Sequence, residues 1–248
     1  MEINIPQFKK KPELLIMCSS RRRADKIQEM ITSIDENKSE GTELIIYVWE
    51  NDPQIKKYRE VLKDRNVIYG PERNLIEVVN YLSTEVYTDI KYYSEINDDM
   101  VCRTKGWDKI LIKAIEEKGQ GWGIACGRDL IQEDWNLWKH PAGYIMSGNI
   151  VRTLGYIVYP LIKHYYSDVY LKELGLMMQR LIHDSDVIVE HKCWVQARKA
   201  EVDENIMEAY KRENRDYGVA MYWVWNREQK DKDLKKIKDA MKKEGIEI

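Results

Sequence analysis

Phenylalanine is almost missing from this chain: one residue in 248, against 16 tyrosines and 8 tryptophans. Bulky core positions therefore fall to side chains that also carry a hydroxyl or an indole N–H. That bias suits a polyhydroxylic ligand, or it reflects compositional drift alone. Long apolar runs are missing too. Leu44–Trp49 has six residues and no run exceeds seven, where a membrane-crossing helix needs ~20. Residues 1–12 (MEINIPQFKKKP) have no apolar stretch of the signal-peptide kind, so the expected location is the cytoplasm. Cysteine is scarce. Cys18, Cys102, Cys126 and Cys193 lie far apart with no C-x-x-C pair, which gives no zinc or redox-exchange motif and predicts reduced, mostly packed thiols. An excess of either charge is absent: 40 Lys plus Arg against 42 Asp plus Glu leave −2. Bulk electrostatics thus argue for neither nucleic acid nor a membrane surface as partner. Glycine-rich phosphate loops are absent as well. The turn after the first apolar run reads Cys18-Ser19-Ser20-Arg21, Gly119-x-Gly121-x-Gly123 has neither the spacing nor the context of G-x-G-x-x-G, and no G-x-x-x-x-G-K-[ST] occurs. Dinucleotide oxidoreductases and P-loop NTPases drop out, and a nucleotidyltransferase is disfavoured.

What is present is a chain 44% hydrophobic and 33% charged, long enough for one large domain or two small ones with an unstapled core. Its first half alternates. Apolar runs at 13–17, 43–49 and 66–69 and the alternating stretch 89–96 predict four strands. Between them, Ile27, Met30, Ile31 and Ile34 fall at helical spacing, 55–63 reads as a helix, and Leu75, Val78, Val79 and Leu82 share one helical face. This β-α-β-α-β-α-β order predicts an α/β fold with a mostly parallel central sheet flanked by helices. The second half predicts a helix over 104–117 with Trp107, Ile110, Leu111 and Ala114 inward, a strand at 122–126, helices at 149–155 and 168–181, and a last strand at 187–191. Residues 226–248, with eight basic and six acidic side chains, predict an exposed helical tail. The organisation expected is one catalytic-type domain over 1–225, with halves at about 1–103 and 104–225, followed by the 226–248 tail.

Ligands of parallel α/β sheets bind at the carboxyl ends of the strands, and three polar clusters stand there: Ser19–Arg23, Glu50–Asp52 and Asn97–Asp99. Adjacent carboxylates such as Asp98 and Asp99 repel unless something positive neutralises them, and a divalent cation carrying a diphosphate is a natural counter-charge for hard oxygen ligands. The bland alternative for Asn-Asp-Asp alone is a solvated turn or a helix start. The order of the pieces adds information: Ser19-Ser20-Arg21, Glu50-Asn51-Asp52, Arg73 before a helix containing Asn80, Asn97-Asp98-Asp99, Ser147-Gly148-Asn149, Asp168 in DVYLKELG, and His191 in VEHKCW. In that order, from about residue 13 to 194, the chain resembles the nucleotide-sugar glycosyltransferases of the GT-A fold, family 2 in particular.

The resemblance implies the following. Ser19, Ser20 and Arg21 would line a nucleobase pocket, Glu50 would accept a hydrogen bond from the base, and Arg73 would contact base or diphosphate. Asn97 and Asp98 belong to the donor site, with Asp98 on the ribose. Asp99 and His191 would hold a divalent metal, Mn²⁺ or Mg²⁺, and Asp168 would be the general base of an inverting displacement. The donor would be a nucleoside-diphosphate sugar, UDP- or GDP-linked. The acceptor, whether glycan, lipid carrier, protein or modified nucleic acid, has no motif. Asn97 departs from the family's D-x-D pattern by removing one charge. Plainer readings stand beside these: His191 as a hydrogen-bonded core residue, Asp168 as a helix N-cap, Arg21-Arg22-Arg23 as a solvated turn. Trp135, Trp138, His140 and Tyr144 form either a sugar-stacking acceptor platform or a packed loop. The rival functions are a nucleotidyltransferase on the same sheet and a non-catalytic carbohydrate- or nucleotide-binding protein with a decayed site.

Overall fold

A strand covered on both sides needs apolar residues at every position rather than at alternate ones. In the computed structural model, which describes residues 3–130, 140–192 and 215–246, β1 (Leu14–Ser20) meets that condition. Leu14, Ile16 and Cys18 enter one apolar cluster, and Leu15 and Met17 enter another on the opposite face. β2 (Thr42–Trp49) does the same, with Leu44, Ile46 and Val48 on the first side and Ile45, Tyr47 and Trp49 on the second. Helices complete both layers. α1 (Ile27–Asn37) lays Ile27, Met30, Ile31 and Ile34 on the first face. α2 (Ile55–Val61) adds Tyr58 there. α3 (Leu75–Tyr81) starts with a reciprocal capping box between Asn74 and Glu77, covers the second face with Ile76, Val78 and Val79, and runs on into a π turn over Leu82–Val86.

The remaining elements are β3 (Val67–Gly70), β4 (Tyr92–Glu95), β5 (Met100–Cys102), α4 (Trp107–Gly119), β6 (Ile124–Arg128), β7 (Ile145–Ser147), α5 (Gly148–Leu154), α6 (Ser167–Met177), β8 (Leu181–His191), α7 (Arg215–Glu228) and α8 (Lys230–Lys243). The eight strands form one sheet in the order β3-β2-β1-β4-β7-β6-β8-β5. The first four are mutually parallel, as the alternating first half predicts. β7 runs antiparallel to both β4 and β6, and β5 runs antiparallel to β8, so the sheet is mixed beyond that half. β5 and β7 have three residues each, too few to display a period of two. α6 stops at Met177 rather than reaching 181, because Gln179 takes a left-handed φ of 54° and turns the chain into β8. At the start of α5, Gly148 is required by close approach: a Cβ there would stand 2.2 Å from the Ile90 carbonyl oxygen.

The charged C-terminal run is not the exposed tail its composition suggests. α8 places Asp233, Ile237 and Met241 four residues apart on one buried stripe. Ile237 and Met241 join the core against α5, and Asp233 accepts hydrogen bonds from Tyr156, Trp225 (2.9 Å) and Gln229 (2.9 Å). α7 brings Trp225 edge-on to Tyr170 at 4.6 Å between ring centroids. Cys18, Cys102 and Cys126 are buried, and burial pushes the Cys102 thiol up to about 12; Cys193 lies outside the described residues. Among the described residues, no helix is long and apolar enough to cross a membrane.

Candidate functional site

Two backbone registers assemble the site. β1 and β4 are parallel neighbours with Met17 opposite Glu95, and three residues further along each chain Ser20 stands beside Asp98. The Ser20 hydroxyl donates to Asp98 Oδ2 at 2.7 Å and also meets the Tyr58 hydroxyl at 2.7 Å. β5 starts directly after Asp99 and pairs with the end of β8, Met100 opposite His191, while the Lys192 N–H donates to the Asp99 carbonyl at 2.8 Å. That pairing sets His191 Nε2 3.3 Å from Asp99 Oδ1, although the two residues are far apart in sequence. The His191 backbone is fixed further by its N–H, which donates to Asp129 Oδ1 at 3.1 Å.

The adjacent carboxylates have an internal counter-charge. One guanidinium nitrogen of Arg23 bridges them, 2.7 Å from Asp98 Oδ1 and 3.0 Å from Asp99 Oδ2, in surroundings that leave little of the three side chains in water. Burial alone would raise the Asp99 carboxyl, but the hydrogen bond and charge of His191, with Arg23, outweigh it and hold Asp99 well below the usual range. His191 is affected in the opposite sense. Burial disfavours its charged form, yet Asp99 more than compensates and its pKa rises.

A cavity of about 190 Å³ opens beside this pair. It is lined by Glu95 and Asn97, alternate residues facing the same way off the end of β4, and by His191. The start of α6 lines it too, where Tyr166 sits in the left-handed region (φ 73°) and Asp168 lies in the first turn. Asp168 is not the N-cap; Tyr166 occupies that position. Asp168 Oδ1 accepts the Val169 N–H at 2.8 Å, Oδ2 faces His140 Nδ1 at 3.6 Å, and half of the side chain is exposed. Tyr144, Tyr165 and His164 close the remainder.

No family model and no curated protein matches the chain. Solved structures do. A mannosyltransferase from Pyrobaculum calidifontis, in complex with GDP-Man and Mn²⁺, aligns with TM-score 0.59 over 96% of this chain and 76% of its own at 10% identity. S. aureus TarS (1–349) gives 0.52 over 92% of this chain and 78% of its own at 11% identity. The glucosyl-3-phosphoglycerate synthase of Mycobacterium tuberculosis, in complex with Mn²⁺, UDP and phosphoglyceric acid, gives 0.54 over 80% and 74% at 12% identity. The fold is GT-A. At such identities the likeness is one of architecture, and residue roles rest on this chain's own geometry.

Within the GT-A sheet the sequence-derived residues divide into groups. Asn97, Asp168, His191 and Tyr144 line one cavity; Asp99 is joined to it through His191, and Arg23 ties Asp98 to Asp99. Ser19 is half-buried in β1, and Ser20 is buried against Asp98. Arg21 lies over the Trp49 ring at 4.6 Å and Arg73 over the Tyr81 ring at 4.0 Å. Glu50 is exposed at the end of β2, on a separate groove of about 890 Å³ that it shares with Arg59 and Tyr69. Trp135 and Trp138 lie outside the described residues. Of the three consecutive arginines it is Arg23, not Arg21, that meets the carboxylates. Arg22, with φ 53°, turns the backbone, and the Arg23 N–H then bonds the Tyr58 hydroxyl at 2.9 Å. Glu95 and His164 escaped the sequence reading; the available signal was a carboxylate inside an otherwise buried strand.

The pair fits a divalent cation. Two adjacent ligands, each ~2.1 Å from one ion and at about a right angle, stand roughly 3 Å apart, close to the 3.3 Å between Asp99 Oδ1 and His191 Nε2. Among the described residues no group of three or more His, Cys, Asp or Glu side chains could hold a metal, so further ligands would be phosphate oxygens and water.

Proposed function

We propose that this chain is a glycosyltransferase that moves a sugar from a nucleoside-diphosphate sugar to an acceptor hydroxyl with inversion. The observation that carries the reading is the meeting of Asp99 with His191, which lines the same cavity as Asp168. A cation-binding pair and a half-exposed carboxylate at one cavity suit a displacement in which a cation receives the leaving group and a base takes the proton of the nucleophile. The structural neighbours, complexed with GDP-Man or UDP and with Mn²⁺, support the same reading.

In the transfer, the bond from the anomeric carbon to the diphosphate oxygen breaks and its electrons leave with the phosphate. The acceptor oxygen bonds to that carbon, and its proton passes to Asp168 Oδ2. His140 Nδ1 stands 3.6 Å from Oδ2, beyond hydrogen-bond length. Asp99 and His191 would hold the divalent cation, which when bound supplies Lewis-acid stabilisation of the departing charge. Arg23 keeps Asp98 and Asp99 from repelling each other and fixes their rotamers. Each Asp98 oxygen retains a lone pair for the ribose. Ser19, Arg21, Glu50 and Arg73 are assigned to the base and diphosphate side, and Trp135 and Trp138 to the acceptor side. Walls built from protein dipoles rather than water strengthen each of these interactions.

The test is a thermal-shift panel of UDP, GDP and their sugar conjugates with and without Mn²⁺. A ligand bound only to the native state raises the melting temperature by mass action. The expected result is a nucleotide-dependent rise that Mn²⁺ enlarges, with the Mn²⁺ increment lost in Asp99→Ala. No shift with any nucleoside diphosphate sinks the reading. A second reading, a binder without turnover, is favoured by Asn97 in place of a carboxylate; nucleotide-sugar binding with neither transfer nor hydrolysis would select it.

A further inference from the structure

A carboxyl taken out of water needs hydrogen-bond partners, because an unpaired buried polar group loses its hydration without replacement. Glu95 is 7% exposed, and its carboxyl has no hydrogen-bond partner among the described residues. Tyr144, 1% exposed, points a hydroxyl without a partner into the same region, and the two groups sense one another electrostatically. Both line the cavity beside Asp168 and His191. At about 190 Å³ that cavity is smaller than the ~300–1,000 Å³ of sites for drug-sized ligands, and is the size of a subsite for one sugar ring rather than a whole nucleotide sugar.

We propose that Glu95 is a sugar-binding residue, hydrogen-bonded to a hydroxyl of the ring being transferred, with Tyr144 as the second polar group of that subsite. The assignment rests on the glycosyltransferase reading. It goes to the donor ring because Glu95 shares its face with Asn97, two residues on, and the same run of chain continues into the carboxylates on the diphosphate side. Burial, with Asp168 and Asp99 adding and His164 and His191 opposing, pushes the Glu95 carboxyl up to about 7. Near neutral pH it therefore donates or accepts, which matches a hydroxyl that does both.

The experiment is calorimetric titration, with Mn²⁺, of UDP, GDP, UDP-glucose, UDP-N-acetylglucosamine and GDP-mannose into the wild type, Glu95→Gln and Glu95→Leu. Melting curves verify that each variant is folded. The expected result is that the preferred nucleoside diphosphate binds all three proteins within about twofold. The extra affinity contributed by the sugar should fall roughly tenfold or more in Glu95→Leu, and less in Glu95→Gln, which keeps hydrogen-bonding atoms. Deoxy donors lacking one hydroxyl each should include one that weakens binding to the wild type but not to Glu95→Leu. Nucleotide binding with an unchanged sugar increment in Glu95→Leu overturns this assignment and leaves the glycosyltransferase reading standing. Failure of every nucleoside diphosphate to bind the wild type removes both.

Discussion

Glu95 offers the clearest quantitative test of the site, through the stability of the ligand-free protein. Its carboxyl rises from the ordinary 4.5 to about 7. A raised acid pKa means that the folded state holds a proton the unfolded state has already released. Between those two values stability must therefore fall as the pH rises. The shift of about 2.5 units corresponds to about 3 kcal/mol, fully expressed above pH 7 and absent below 4.5. For a chain of this size that amounts to roughly 6–12 °C in melting temperature. Glu95→Gln keeps the shape and removes the ionisation, so the comparison is between wild-type and variant stabilities at each pH. The His191–Asp99 pair is common to both proteins and cancels in the difference except for its coupling to the Glu95 charge. Urea unfolding from pH 4.5 to 8.5, without nucleotide and with chelator, should show Glu95→Gln gaining on the wild type by about 3 kcal/mol across the range. Parallel profiles would refute the argument, because they would mean that the Glu95 carboxylate is solvated or paired in the folded protein.

Two further outcomes follow from named contacts. Asp168→Asn keeps the helix turn but cannot take a proton, so transfer should fall by about 10²–10⁴-fold with nucleotide affinity unchanged; initial rates beside calorimetry check it, and wild-type transfer would remove Asp168 as the base. Asp233→Ala leaves the Tyr156 hydroxyl, the Trp225 indole N–H and the Gln229 amide without their acceptor, at a cost of about 3 kcal/mol; a loss below 1 kcal/mol in urea unfolding would show that α8 is not held through this carboxylate.

Much of the architecture is written in the sequence where burial is two-sided. β1 and β2 must be apolar throughout because helices cover both faces, and that leaves runs such as LLIM and LIIYVW that nothing else explains. β5 and β7 leave no such trace. They are three residues long, and their partners rather than their own patterns make them strands. β8 is long but carries exposed Ser185 and Asp186 at its centre, inside an irregularity of its pairing with β6, so its first half reads as a turn. α8 misleads for a different reason. Its composition is dominated by a wide charged surface, while its attachment depends on three positions four residues apart.

The site shows the same division. A charged cluster after an apolar strand is legible, so Asn97-Asp98-Asp99 stands out, but the partner of Asp99 is chosen by the register of β5 on β8, and β5 itself is invisible in the sequence. Asn97 is then no simple loss. Glu95 and Asn97 face the same cavity two residues apart, and a carboxylate at 97 would set a like charge over a buried acid that already shares its surroundings with Asp99 and Asp168. One guanidinium, that of Arg23, bridges both neighbouring carboxylates, and a third carboxylate would lie outside that clamp. The carboxyl missing at 97 stands instead at 95, two residues earlier on the same face. There it can meet the sugar rather than the phosphate, and for that reason the departure from D-x-D and the proposed role of Glu95 are consequences of one arrangement.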